Sequence, residues 1–135
     1  MKAFERLLKY VVVRTPSDDT SNTVPSSTCQ FDLAHILLAE LKELGVDAYM
    51  DDKGFVYGII PPTKGYENCI KLGFMSHMDT VSDYCDHETV PVVTENYDGE
   101  DLVLGTSGRV LSVKNFPHLP SLKGRTLLTT DGTTI

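Results

Sequence analysis

The sequence predicts an α/β domain, with two helices packed on a mixed sheet. Three observations carry this. Two amphipathic stretches at helical spacing occupy the first third of the chain. Several short apolar runs, bounded by Gly, Pro, Asn and Asp, follow them. At 135 residues, 41% hydrophobic and 23% charged, there is enough apolar matter for one ordinary core.

The first helix is expected over Ala3 to Val13. Phe4, Leu7, Leu8, Val11 and Val12 fall on one side, with Lys2, Glu5, Arg6 and Lys9 opposite. That stripe reads as a core face rather than a partner site. Thr15 to Ser26 is rich in Ser, Thr, Asp and Pro and reads as a loop. Ser27 with Gln30 three residues on has the form of a capping box. A second helix then runs to about Leu44, with Leu33, Leu37, Leu41 and Leu44 on one side and Gly45 as its stop. His35 lies in this helix among apolar neighbours and reads as structural.

Ala48 to Asp51 and Phe55 to Ile60 read as short strands joined by the Asp52-Lys53-Gly54 turn. Pro61-Pro62 ends the second, and a polar loop from Thr63 to Asn68 follows. Beyond Thr80 comes an acidic loop with Asp83, Asp86, His87 and Glu88. Cys85-x-His87 has a metal-like look there, but a solvated loop is the better reading. Val90 to Val93 and Asp101 to Leu104 are strand-like. Gly105 to Gly108 reads as a turn before Val110-Leu111. Pro117 and Pro120 bracket an irregular segment. Gly124 to Thr130 reads as a final strand, with Asp131-Gly132 as its turn.

Between these runs lies the stretch the chain is built around, Ile70 to Thr80, I-K-L-G-F-M-S-H-M-D-T. Its apolar start, with Leu72, Phe74 and Met75, predicts a buried strand over Lys71–Ser76. Ser76, His77 and Asp79 follow. Two residues apart at a strand's end, His77 and Asp79 share one face, at the end where open α/β sheets bind ligands. A neutral imidazole is a good zinc ligand, and a nearby carboxylate can fix its tautomer. The H-x-D spacing fits equally a surface histidine beside a turn aspartate, and by itself favours that plainer reading.

Other classes are disfavoured. Net charge is -7, without a basic cluster, so nucleic acid is a poor partner. No apolar stretch reaches the length of a membrane span, and the charged N-terminus is no signal peptide. No G-K-[ST] or G-x-G-x-x-G occurs, so the glycines form no phosphate loop. Cys29, Cys69 and Cys85 are odd in number and form no C-x-x-C. Reduced thiols and a cytoplasmic location are the simplest account.

Taken together, the residues resemble the N-terminal part of the peptidase T family, aminotripeptidases of the di-zinc peptidase clan. The likeness rests on F-E-R-L-L-K-Y-V, on V-P-S-S after the polar loop, on the helix ending L-K-E-L-G and on F-M-S-H-M-D-T. T-E-N-Y-D-G-E-D-L-V-L-G and N-F-P-H-L-P-S-L-K-G-R-T-L-L-T-T-D-G-T-T follow in order, so it covers essentially all of residues 1–135. S-H-x-D-T alone suggests only the wider clan; the later segments narrow it.

The resemblance implies that His77 is a ligand to one zinc and that Asp79 serves catalysis as the carboxylate orienting His77. It implies two zinc ions per site, bridged by an aspartate and a water, with a glutamate as general base. Substrates are then tripeptides bound by their free N-terminus, with the N-terminal residue released. His87 and His118 match no ligand motif, and Asp131 reads as a turn residue. The family's G-A-D-D motif, its glutamate pair, its later ligands and its smaller second domain have no counterpart here. The expectation is a partial catalytic domain, inactive alone, with self-association or pairing with the remainder of the domain. The alternative is a short non-catalytic protein or degraded copy acting as a binding module.

Overall fold

A computed structural model describes residues 1–84 and 87–134. The chain divides into two compact units, residues 15–81 and residues 1–14 with 82–135. The α/β class holds: two helices accompany small antiparallel sheets.

Residues 15–81 contain helix α2 (Gln30–Glu43) and strands β1 (Asp47–Met50) and β2 (Val56–Ile59). The strands pair antiparallel, with Ala48 opposite Gly58 and Tyr49 opposite Tyr57. Asp51 makes the hairpin turn by accepting hydrogen bonds at Oδ1 from the N–H groups of Lys53 (3.0 Å) and Phe55 (2.9 Å). Gly54 takes the positive φ of 82° that this turn requires. Helix α2 lies on the inner face of the hairpin. A methyl group on Gly58 would stand 3.1 Å from Val46 and 3.4 Å from Leu41, so the bare glycine lets these side chains close on the sheet. Leu33, Ala34 and Ala48 are the buried apolar residues of this unit.

The helix ends as expected, with Gly45 at φ 77° and its N–H on the carbonyl of Lys42. Its start differs. The capping box at Ser27 does not form, because the Gln30 side chain turns outward to the Pro16 carbonyl (3.3 Å) and Ser26 Oγ (3.4 Å). The Ser27 carbonyl instead accepts from Gln30 N–H in a tight turn.

Residues 1–14 and 82–135 contain α1 (Ala3–Tyr10), β3 (Pro91–Thr94), β4 (Leu102–Val103), β5 (Val110–Leu111), a 3-10 turn at Leu119–Leu122 and β6 (Leu127–Thr130). β3 pairs antiparallel with β6, and β4 with β5. Tyr97 and Leu119 are buried. Tyr97 N–H donates to the Arg125 carbonyl and its own carbonyl accepts from Gly124, which ties the stretch before β6 down. Helix α1 starts with Lys2 N–H on the Glu5 carboxylate, 2.6 Å. It stops at Tyr10 rather than Val13, where three consecutive valines disfavour helix. Its apolar stripe is not the expected core face: Phe4 and Leu7 are exposed.

The largest correction concerns Lys71–Ser76. The expected strand is absent, and no single mixed sheet forms; the described strands make three separate two-stranded sheets. Among the described residues none offers backbone pairing to residues 70–77. A strand with apolar side chains on both faces needs paired edges and two covering layers. Without them the run stays extended, and Phe74 is 93% exposed. No described helix is long and apolar enough to cross a membrane.

Candidate functional site

The exposed run ends where the chain is caught again. Thr15 precedes Pro16, and a residue before proline favours extended backbone. Pro16 and Thr80 form a parallel bridge. A parallel bridge uses the groups of the residues flanking Pro16, so its missing N–H is not needed: Thr80 N–H donates to the Thr15 carbonyl and Ser17 N–H to the Thr80 carbonyl, both at 2.9 Å. Two hydroxyls reinforce it. Thr15 Oγ1 donates to the Met78 carbonyl at 2.7 Å, and Ser17 Oγ to the Thr80 carbonyl at 3.1 Å. Through Gln30 on the Pro16 carbonyl, the first turn of α2 supports the same segment.

On this footing stand His77 and Asp79. Nδ1 of His77 lies 3.1 Å from Oδ1 of Asp79. The His77 side chain is 84% exposed and that of Asp79 46%. In a neutral imidazole, a ring nitrogen that faces a carboxylate is the one suited to carry the proton, which leaves the lone pair to the other nitrogen. The two residues named from the sequence are therefore together and near the surface, although the strand expected to present them is absent. Sequence reasoning missed Thr15, Pro16 and Ser17. The X-Pro dipeptide signals extended backbone, but not which distant segment it pairs with.

The other candidates lie elsewhere. His35 is exposed on α2 with its ring 6.3 Å from that of Phe31. The His118 carbonyl accepts from Ser121 as the 3-10 turn begins, and its ring meets Phe116 edge-on at 6.4 Å. Asp131 is the turn residue expected, accepting at Oδ1 from Thr133 N–H (2.9 Å) and Oγ1 (2.6 Å). These bonds hold its carboxyl below the usual range, with a smaller contribution from nearby His87. Cys85 and Asp86, and so the Cys85-x-His87 pattern, lie outside the described residues. Cys29 and Cys69 are free thiols. Among the described residues no three His, Cys, Asp or Glu side chains gather as a metal group.

No protein-family model matches the chain. Among curated proteins, it is 47% identical over 139 residues to "Peptidase T" of Clostridium perfringens, covering 99% of this chain and 33% of that protein. It is 44% identical to "Peptidase T" of Alkaliphilus oremlandii, covering 97% of this chain and 33% of that protein. It is 43% identical to "Peptidase T" of Caldanaerobacter subterraneus, covering 99% and 33%. The chain thus spans a third of the length of these relatives. Across nearly its whole length, it matches an N-terminal segment of peptidase T.

Proposed function

We propose that this chain forms part of a zinc-dependent aminotripeptidase, with His77 as a zinc ligand through Nε2 and Asp79 as the carboxylate that orients it. The observation that supports this is the 3.1 Å contact between Nδ1 and Oδ1, on a ring otherwise open to solvent. An imidazole backed by a carboxylate suits zinc in donor type and in tautomer. The fit extends to that one ligand. A catalytic zinc has three protein ligands and a paired site a bridging one besides, so a complete site draws on residues other than the described ones.

Bound zinc would supply Lewis-acid polarisation of a peptide carbonyl and a more acidic water. The work of this chain's own residues is narrower. Asp79 keeps the proton on Nδ1, and His77 presents Nε2 in a fixed direction. The substrate class is a small peptide, cleaved after its N-terminal residue, and the cell compartment is the cytoplasm. The relatives' name supports the first, and the unpaired thiols of Cys29 and Cys69 agree with the second.

The test is a zinc-supplemented tripeptide hydrolysis assay on this chain, alone and mixed with the C-terminal two-thirds of a peptidase T relative. Activity is expected only in the mixture, with loss on His77→Ala. Robust hydrolysis by this chain alone would overturn the ligand assignment. No activity in a mixture shown to associate would overturn the functional reading.

A further inference from the structure

We infer that Thr15 is the positioning residue of the His77–Asp79 pair. This rests on reading that pair as an oriented metal ligand, and it assigns the orientation to a side chain 63 residues away from Met78 in sequence.

Two side chains at i and i+2 meet only if the backbone between them is fixed. The peptide units between them are those on either side of Met78. Thr15 holds the second of these, and the peptide unit after Asp79 as well. Its hydroxyl donates to the Met78 carbonyl at 2.7 Å, and its carbonyl accepts from Thr80 N–H at 2.9 Å. One residue thus grips the chain immediately before and immediately after Asp79. Nothing upstream shares the task, since among the described residues none pairs with the backbone of residues 70–77. The His77 ring is 84% exposed, which leaves little packing among the described residues to orient it.

Thr15 is built for this. It is 2% exposed, while the pair it holds is open to solvent. Its β-branch restricts χ1, so the hydroxyl has few directions to choose from. Pro16 restricts its backbone to the extended form that aims its carbonyl at Thr80. Gln30 binds the Pro16 carbonyl and anchors the clamp to α2. Valine would fill the same space and leave the Met78 carbonyl without its donor.

The experiment is nitrogen-15 NMR of the full chain in alkaline buffer, where an imidazole is neutral, reading which ring nitrogen of His77 carries the proton. The wild type is expected to show Nδ1–H. Thr15→Val is expected to lose that preference while the amides of α2, β1 and β2 keep their positions; Thr15→Ser is expected to restore it. A Thr15→Val chain that stays folded and keeps Nδ1–H overturns the inference and leaves the functional reading standing. A wild type without Nδ1–H overturns the oriented-ligand reading itself. If Thr15→Val does not fold, amide exchange in the wild type decides. Slower exchange at Ser17 and Thr80 than at Leu72 and Phe74 upholds the clamp, and equal exchange overturns it.

Discussion

His77 and Asp79 stand 3.1 Å apart, Nδ1 to Oδ1, across one intervening residue whose carbonyl is held by Thr15. A carboxylate behind an imidazole raises its basicity and fixes its tautomer. On the proposed zinc reading, with the remainder of the relatives' length supplied, Asp79→Ala is expected to weaken zinc binding by about 10–100-fold. Asp79→Asn keeps an acceptor oxygen and loses the charge, so a smaller loss is expected. Competition with a chromogenic chelator measures both, and unchanged affinity in Asp79→Ala would refute the orienting role.

The turn at Gly105 leans on the turn at Asp131. A methyl group on Gly105 would stand 2.6 Å from Asp131 Cβ and 2.9 Å from its Cα, at a φ of 49°. Gly108 has a φ of 74° with open space around it. Gly105→Ala therefore combines backbone strain with a backbone clash, on the order of 3 kcal/mol. Gly108→Ala carries strain alone, about 1 kcal/mol. Urea denaturation of the two variants is expected to separate them in that order. Equal midpoints would show that the turns do not meet.

Ile70, Leu72, Phe74 and Met75 lie within six residues of one another and are largely exposed. Such a run, extended and unpaired, is expected to drive concentration-dependent association. Sedimentation velocity should show the wild type shifting to larger species as concentration rises, and Leu72→Lys with Phe74→Lys suppressing the shift. A wild type that stays monomeric throughout would remove this expectation, and with it the self-association read from the sequence.

Asp18, Glu67 and Asp131 have carboxyls held below their usual range, foremost by hydrogen bonds from Thr20, Gly65 and Thr133 respectively. A depressed folded-state value contributes stability above the unfolded value, about pH 4, and that contribution fades as pH falls through the folded value. The fold is therefore expected to loosen on acidification below about pH 4. Thr133→Val removes the hydroxyl's bond to Asp131 and keeps the backbone one, and carboxyl NMR titration should show the Asp131 value rising. No movement would mean that the hydroxyl bond does not form in solution.

Local chemistry explains why much was legible. The hairpin β1–β2 is set by Asp51 and Gly54, and the end of α2 by Gly45; turn residues and stops act within a few positions of themselves. The pairing of His77 with Asp79 is local in the same way. The strand at Lys71–Ser76 was misread because its apolar run states a preference for burial without supplying a partner, and pairing is a property of two segments. The capping box at Ser27 was misread because the Gln30 side chain had a longer-range acceptor, Pro16, that spacing does not reveal.

The sequence by itself determined the α/β class, the turns and the two side chains of the candidate site, since each follows from the residues within a few positions of it. Only the tertiary structure decided what holds that site. Thr15 reaches Met78 and Thr80 because chain folding brings together segments more than sixty residues apart. A buried hydroxyl's choice of carbonyl depends on that meeting, and no local pattern encodes it.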